Sequence, residues 1–141
     1  MKFHTRLISI IAVTVVFCLV AVAGNVKTSI DKEIEANVYI EDTFVEKTTI
    51  LISGTKRTSL FPTKKEEYVG IFSIAYHMPT CKEGVEAKIQ WHKEGYQDII
   101  FFYAGDFLTY EVRNIKIDES MEKITLTLED GTTITTEVIN R

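Results

Sequence analysis

Proline is nearly absent from this sequence, with 2 in 141 residues, and glycine is modest at 7. Disordered chains are rich in such residues and poor in apolar ones, whereas this chain is 45% hydrophobic and 26% charged. That composition excludes a disordered tail and fits one packed domain. Cysteine is as scarce. Cys18 lies in an uncharged stretch near the N-terminus, so Cys81 is the single thiol of the remainder. No disulfide framework can form within one chain. An excess of positive charge is missing too: 16 Lys+Arg stand against 20 Asp+Glu. Lys2 and Arg6 precede the uncharged stretch, so the part after Gly24 carries 14 basic against 20 acidic residues, a net of −6. An acidic domain gains nothing from a phosphate backbone, so nucleic acid is not an expected partner. A broadly basic face for anionic lipids is excluded for the same reason. A glycine-rich phosphate loop, GxSxG and HExxH are all lacking, and no repeat of solenoid period stands out.

What is present begins with LISIIAVTVVFCLVAVAGN, Leu7 to Asn25, without a charged side chain. About 20 helical residues cross a hydrocarbon core, and the uncharged run from Leu7 to Val26 has that length. Residues 1–24 are therefore expected to be a membrane anchor or a signal peptide. Length favours a retained single-pass helix over Leu7–Gly24, with the C-terminal domain outside by the positive-inside rule. The small residues Ala21 and Ala23 favour the alternative, secretion after cleavage following Ala23. A lipid-anchored Cys18 is disfavoured by the bulky Phe17 before it.

Residues 25–37, NVKTSIDKEIEAN, read as a polar linker or short helix, with Thr28 and Asp31 at capping-box spacing and Ile30 and Ile34 four apart. From Val38 to the end the period becomes two. Val85, Ala87, Ile89 and Trp91 alternate with polar neighbours, as do Ile124, Leu126 and Leu128. Tyr68, Phe72, Ile74 and Tyr76 share a face, with Gly70 marking a bulge or close approach. Further strands are expected at 38–41, 44–53, 57–61, 98–103, 110–117 and 132–139. TKR at Thr55–Arg57 and PTKKEE at Pro62–Glu67 read as charged turns. The last hairpin allows two registers. A two-residue Asp130-Gly131 turn would put Ile134 on the face opposite the leucines. A three-residue loop, Glu129-Asp130-Gly131, pairs Leu126 with Ile134, so that register is the expected one.

These strands predict an all-β extracytoplasmic domain over 38–141. Its architecture is expected to be a small antiparallel β-sandwich, immunoglobulin-like in the loose sense, preceded by one N-terminal hydrophobic helix. A small open barrel is the runner-up.

Chemistry is sparse. His77, Cys81 and His92 are the soft ligand types of the domain, too few and too unevenly spaced for a zinc site, so no metal or other cofactor is expected. Cys81 with His77 or His92 offers a thiol hydrolase as an alternative function. A partly buried free thiol is the simpler reading. Asp118, Glu119 and Ser120 resemble a calcium cluster only in composition. The stretch IIFFYAGDFLTY concentrates aromatics. Phe101 and Phe102 read as core, whereas Tyr103, Phe107 and Tyr110 are the candidates for a binding platform.

The layout of a short basic start, an apolar run and one β domain resembles that of small exported proteins of Gram-positive bacteria. It carries no shared motif. The leading expectation is a non-enzymatic cell-envelope binding module, held at or released from the membrane, with a protein or glycan partner outside the cell. An accessory subunit of a membrane assembly is a further alternative.

Overall fold

The computed structural model describes residues 2–59, 66–103, 106–108 and 112–139, with side chains at all of these except 2, 3, 21–23 and 106–108. A helix, α1 (Lys2–Ala23), leads into nine strands. These are β1 (Asn25–Ile40), β2 (Thr43–Ser59), β3 (Glu66–Ile74), β4 (Val85–Trp91), β5 (Gln97–Tyr103), β6 (Asp106–Leu108), β7 (Val112–Ile117), β8 (Ile124–Leu128) and β9 (Thr133–Thr135). A 3₁₀ turn, Met78–Cys81, precedes β4.

The helix corrects the expected location. Among the described residues no helix is long and apolar enough to cross a membrane, so the single-pass anchor expected over Leu7–Gly24 is not supported. Its first turns hold Lys2 and Arg6, and the helix stops at Ala23. The stretch from Leu7 to Ala23 rises only about 25 Å, short of a hydrocarbon core of about 30 Å. Gly24 is buried and β1 starts at Asn25, so the last residues of the uncharged run belong to the sheet.

The strands form a single antiparallel sheet in the order β6-β5-β4-β3-β2-β1-β9-β8-β7. The fold is thus mostly antiparallel β with one N-terminal helix, as expected. The expected two stacked sheets give way to a continuous sheet curled into a nearly closed barrel. Strand β1 causes this. It pairs with β2 along its whole length and with β9 through Asn37, Val38 and Tyr39, so it joins the two halves edge to edge. Residues 25–37, expected as linker or short helix, are the first part of that strand. Thr55–Arg57, expected as a turn, lie within β2, opposite Lys27 to Ser29. The two long strands are linked by Glu41 and Asp42, both at positive φ (49° and 61°), the two-residue hairpin conformation that matches strand twist.

The backbones of β2 and β3 come close where Gly54 faces Gly70. A Cβ on Gly54 would lie 2.4 Å from Val69 O and 2.7 Å from Gly70 Cα, so only glycine permits this approach. The Tyr68 side chain covers the gap and its hydroxyl donates to Ile71 O at 2.6 Å, an aromatic ring filling what the glycines leave empty. Inside the barrel lie Val38, Ile50, Ile52, Tyr68, Phe72, Ile74, Ala87, Ile89, Trp91, Phe101, Ile117, Ile124, Leu126 and Ile134. The alternating rows in β4 and β8 point inward as the sequence implies. The β8–β9 hairpin has the expected three-residue loop. Leu126 pairs with Ile134, Leu128 N–H donates to Thr132 O, and Gly131 takes φ 88°.

Candidate functional site

Strand β7 ends one side of the sheet, and β5 lies opposite it across a seam. The ladder does not close there; side chains do. Asp118 N–H donates to Lys123 O, so by antiparallel alternation Ile117 turns its own N–H and C=O away from β8, toward the seam. Gln97 Oε1 accepts from Ile117 N–H at 3.2 Å, and the Trp91 indole N–H donates to Ile117 O at 2.9 Å. Gln97 is fixed in turn by donating to Gly95 O at 3.2 Å. Trp91 and Gln97 face each other across β4 and β5, so the two side chains reach β7 from one register row.

The β4–β5 turn overhangs this seam. His92 N–H donates to Tyr96 O and Gly95 N–H to His92 O, closing a tight loop. The His92 ring stacks on Tyr96, with centroids 4.1 Å apart and planes 11° apart. Its Nε2 lies 2.7 Å from Asp98 Oδ2, and its side chain is only 7% exposed. Asp98 is positioned by pairing with Gln90, one outward row from His92. On the far side, the β7–β8 turn is organised by Asp118. Its carboxylate accepts from the N–H groups of Glu122 and Lys123, each at 2.8 Å, and from the Ser120 hydroxyl. Partial burial works against ionisation of Asp118, but the Ser120, Lys123 and Glu122 hydrogen bonds and the Lys123 charge outweigh it and hold the carboxyl below its ordinary value.

Two lysines tie that turn to the barrel mouth. Lys32 donates to Ser120 O at 3.0 Å and pairs with Glu122 at 3.1 Å. Lys56 donates to Glu119 O, pairs with Glu66 at 3.3 Å and lies 5.1 Å from the Trp91 ring centroid. Its side chain is 12% exposed. Between turn and seam lies a cleft of about 810 Å³. Trp91, His92, Gln97, Asn114, Lys116 and Thr125 contribute to its lining. Of its ionic groups, Asp118 is committed to its own turn and Glu137 to Lys123 at 3.7 Å.

Of the residues singled out from sequence, His92, Asp118 and Glu119 lie at this cleft, and the others are placed elsewhere. Tyr103 sits at the end of β5, 37% exposed, with the Lys82 ammonium 4.3 Å from its ring centroid. Phe107 falls in β6, where side chains lie outside the description, and Tyr110 lies outside the described residues. Phe101 is buried as expected, whereas Phe102 is half-buried and one position out of the inward row. The Cys81 thiol is exposed. It donates to Ile74 O at 3.1 Å and accepts from the Ser73 hydroxyl at 3.2 Å, and neither partner is an imidazole. His92 stands beyond the opposite end of β4 from Cys81, roughly 20 Å away along the strand. Among the described residues no group of three or more His, Cys, Asp and Glu side chains is placed to hold a metal. Tyr96, Gln97 and Asp98 were not singled out in the sequence. Their signal is the break in alternation at Lys93-Glu94-Gly95, which folds Asp98 back beside His92.

No family model, curated protein or solved structure matches the chain.

Proposed function

We propose that the chain is a non-catalytic binding module whose contact surface is the cleft along the β5–β7 seam. The observation that carries this reading is the convergence of Gln97, Asn114, Thr125 and the edge of Trp91 on one open space of about 810 Å³. Such a concave site with amide, hydroxyl and aromatic groups suits recognition of a polar partner. The hydrolase alternative needs an imidazole at the Cys81 thiol, and both hydrogen bonds of that thiol go to other groups. The sites suggested by the aromatic run offer only Tyr103 on described side chains, and its ring is already beside Lys82.

Amide chemical-shift mapping on the full chain tests this. Soluble oligosaccharides and short peptides are titrated in turn. One class is expected to shift resonances of residues 91–98 together with 114–127. Shifts confined to other faces, or none from either class, would remove the cleft as the contact surface.

A further inference from the structure

We infer that the free edge of β1 is a dimerisation surface, on which the same strand of a second copy of this chain lies antiparallel about a two-fold axis through Ile30. The inference stands apart from the cleft and its ligand. Three observations carry it.

The first is the open edge. Strand β1 pairs with β2 from Asn25 to Ile40, but with β9 only at Asn37, Val38 and Tyr39. On the β9 side, residues 25–35 therefore have no neighbouring strand. Among the described residues, no backbone hydrogen bond from a turn or loop reaches them either. In an antiparallel pair every second residue turns its N–H and C=O away from the partner. This stretch thus presents a row of open backbone groups, a template for another strand.

The second is that the edge complements itself. Opposite residues of an antiparallel pair share a face, so a register that keeps the inward rows together pairs even numbers with even. About an axis at Ile30, Ile30 meets its own copy, Val26 meets Ile34 and Thr28 meets Lys32. On the outer face Lys27 meets Glu33 and Ser29 meets Asp31. A two-fold axis makes each unlike pair twice, as an isologous contact requires. An axis at Asp31 would set that carboxylate against its own copy and Ile30 against Lys32. An axis at Ser29 would set Val26 against Lys32. Of the three, the axis at Ile30 joins apolar to apolar and opposite charge to opposite charge. The incoming strand then begins beside Glu35 and stops short of β9 at Asn37, so it fills the free length without overlap.

The third is what the side chains of this edge lack in the single chain. Val26 is 46% exposed, and Ile30 and Ile34 are only partly buried. Lys27 and Glu33 are exposed, and the residues opposite them on β2 are Arg57 and Leu51, neither of opposite charge. An inward-pointing charge on an edge strand usually blocks pairing. Here that charge, Lys32, is already taken up by Ser120 O at 3.0 Å and Glu122 at 3.1 Å.

Sedimentation equilibrium of the full chain over a range of concentrations tests this, and a monomer–dimer equilibrium is expected. Lys27→Glu and Glu33→Lys each set like charges together at both symmetric contacts. Each is expected to weaken the dimer roughly tenfold. The double exchange, Lys27→Glu with Glu33→Lys, restores opposite charges and is expected to return the affinity to near the wild-type value. Circular dichroism checks that the variants are folded. Hydrogen exchange gives a second readout at the strand itself: alternate amides within 25–35 should slow as the wild-type concentration rises. A chain that stays monomeric overturns the inference. So does a dimer that neither single exchange weakens, since it then forms through another surface. Weakening by both single exchanges without restoration by the double overturns the pairing about Ile30. Exchange within 25–35 that is independent of concentration overturns the edge as the contact.

Discussion

The Tyr68 ring is buried over the Gly54–Gly70 contact, and its hydroxyl donates to Ile71 O at 2.6 Å. Burial pushes this phenol up to about 12 from an ordinary 10.0, with the Asp31 and Glu86 charges adding to the effect and a Ser53 backbone contact opposing it. The sign of the linkage follows. Below pH 10 the phenol is neutral folded or unfolded, and its contribution to stability is complete. As pH rises from 10 toward 12 the unfolded chain ionises first, so the folded state loses stability through that window. Tyr68→Phe is expected to cost about 1 kcal/mol at neutral pH, the value of one hydrogen bond. It should also flatten the alkaline arm of the stability curve. Urea denaturation at pH 7, 10 and 11.5 checks both. Equal alkaline losses in the two proteins would place the titration elsewhere.

At the scale of the element, the β7–β8 turn hangs on one carboxylate. Asp118 satisfies two backbone N–H groups and a hydroxyl, and its ionised form is the one so bonded. With its pKa lowered from the ordinary 3.8, its contribution is present above that value and lost as pH falls below it. Asp118→Ala is expected to cost about 1–3 kcal/mol at pH 7. It should also reduce the drop in melting temperature between pH 5 and pH 3. A wild-type drop that survives in Asp118→Ala would assign the acid sensitivity to other groups. Elements also show what was legible beforehand. The β4 row and the Leu126–Ile134 register were readable because period-two burial is local, and because a one-residue slip would expose a whole apolar row. The first part of β1 was not. Ile30 and Ile34 are four apart, a spacing that serves a helix face and a strand face alike, and the residue between them on the inward row is Lys32. Lys56 hid in the same way. A lysine between Thr55 and Arg57 reads as a solvated turn until the barrel mouth supplies Glu66 and Trp91. At the site, His92 was visible as a polar residue after Trp91, but its partners Tyr96 and Asp98 depend on how tightly the next turn folds back.

At the scale of the whole molecule, the seam is where a curled sheet must be held shut without a ladder. A sheet of nine strands leaves edges, and edges are natural pairing surfaces. Here β7 lies against β5, and Gln97 and Trp91 bond the two groups that Ile117 turns outward. Local opening at such a place costs less than opening the β1–β2 ladder, which runs from Asn25–Ser59 to Ile40–Thr43 with one shift at Val38/Tyr39. Gln97→Ala removes the acceptor of the Ile117 amide and the side-chain bond to Gly95 O together. Its effect is expected to be local. Hydrogen exchange at the Ile117 amide should speed up roughly tenfold or more, equivalent to about 1.4 kcal/mol of opening energy. The Ile50 and Ile52 amides should exchange at their wild-type rates. A uniform acceleration would mean that Gln97 supports global stability, and no change at Ile117 would mean that the seam is held by packing alone. A ligand bound in the proposed cleft would span both walls of this seam and should slow the same amide. That couples the proposed function to a second, kinetic signal at the same seam.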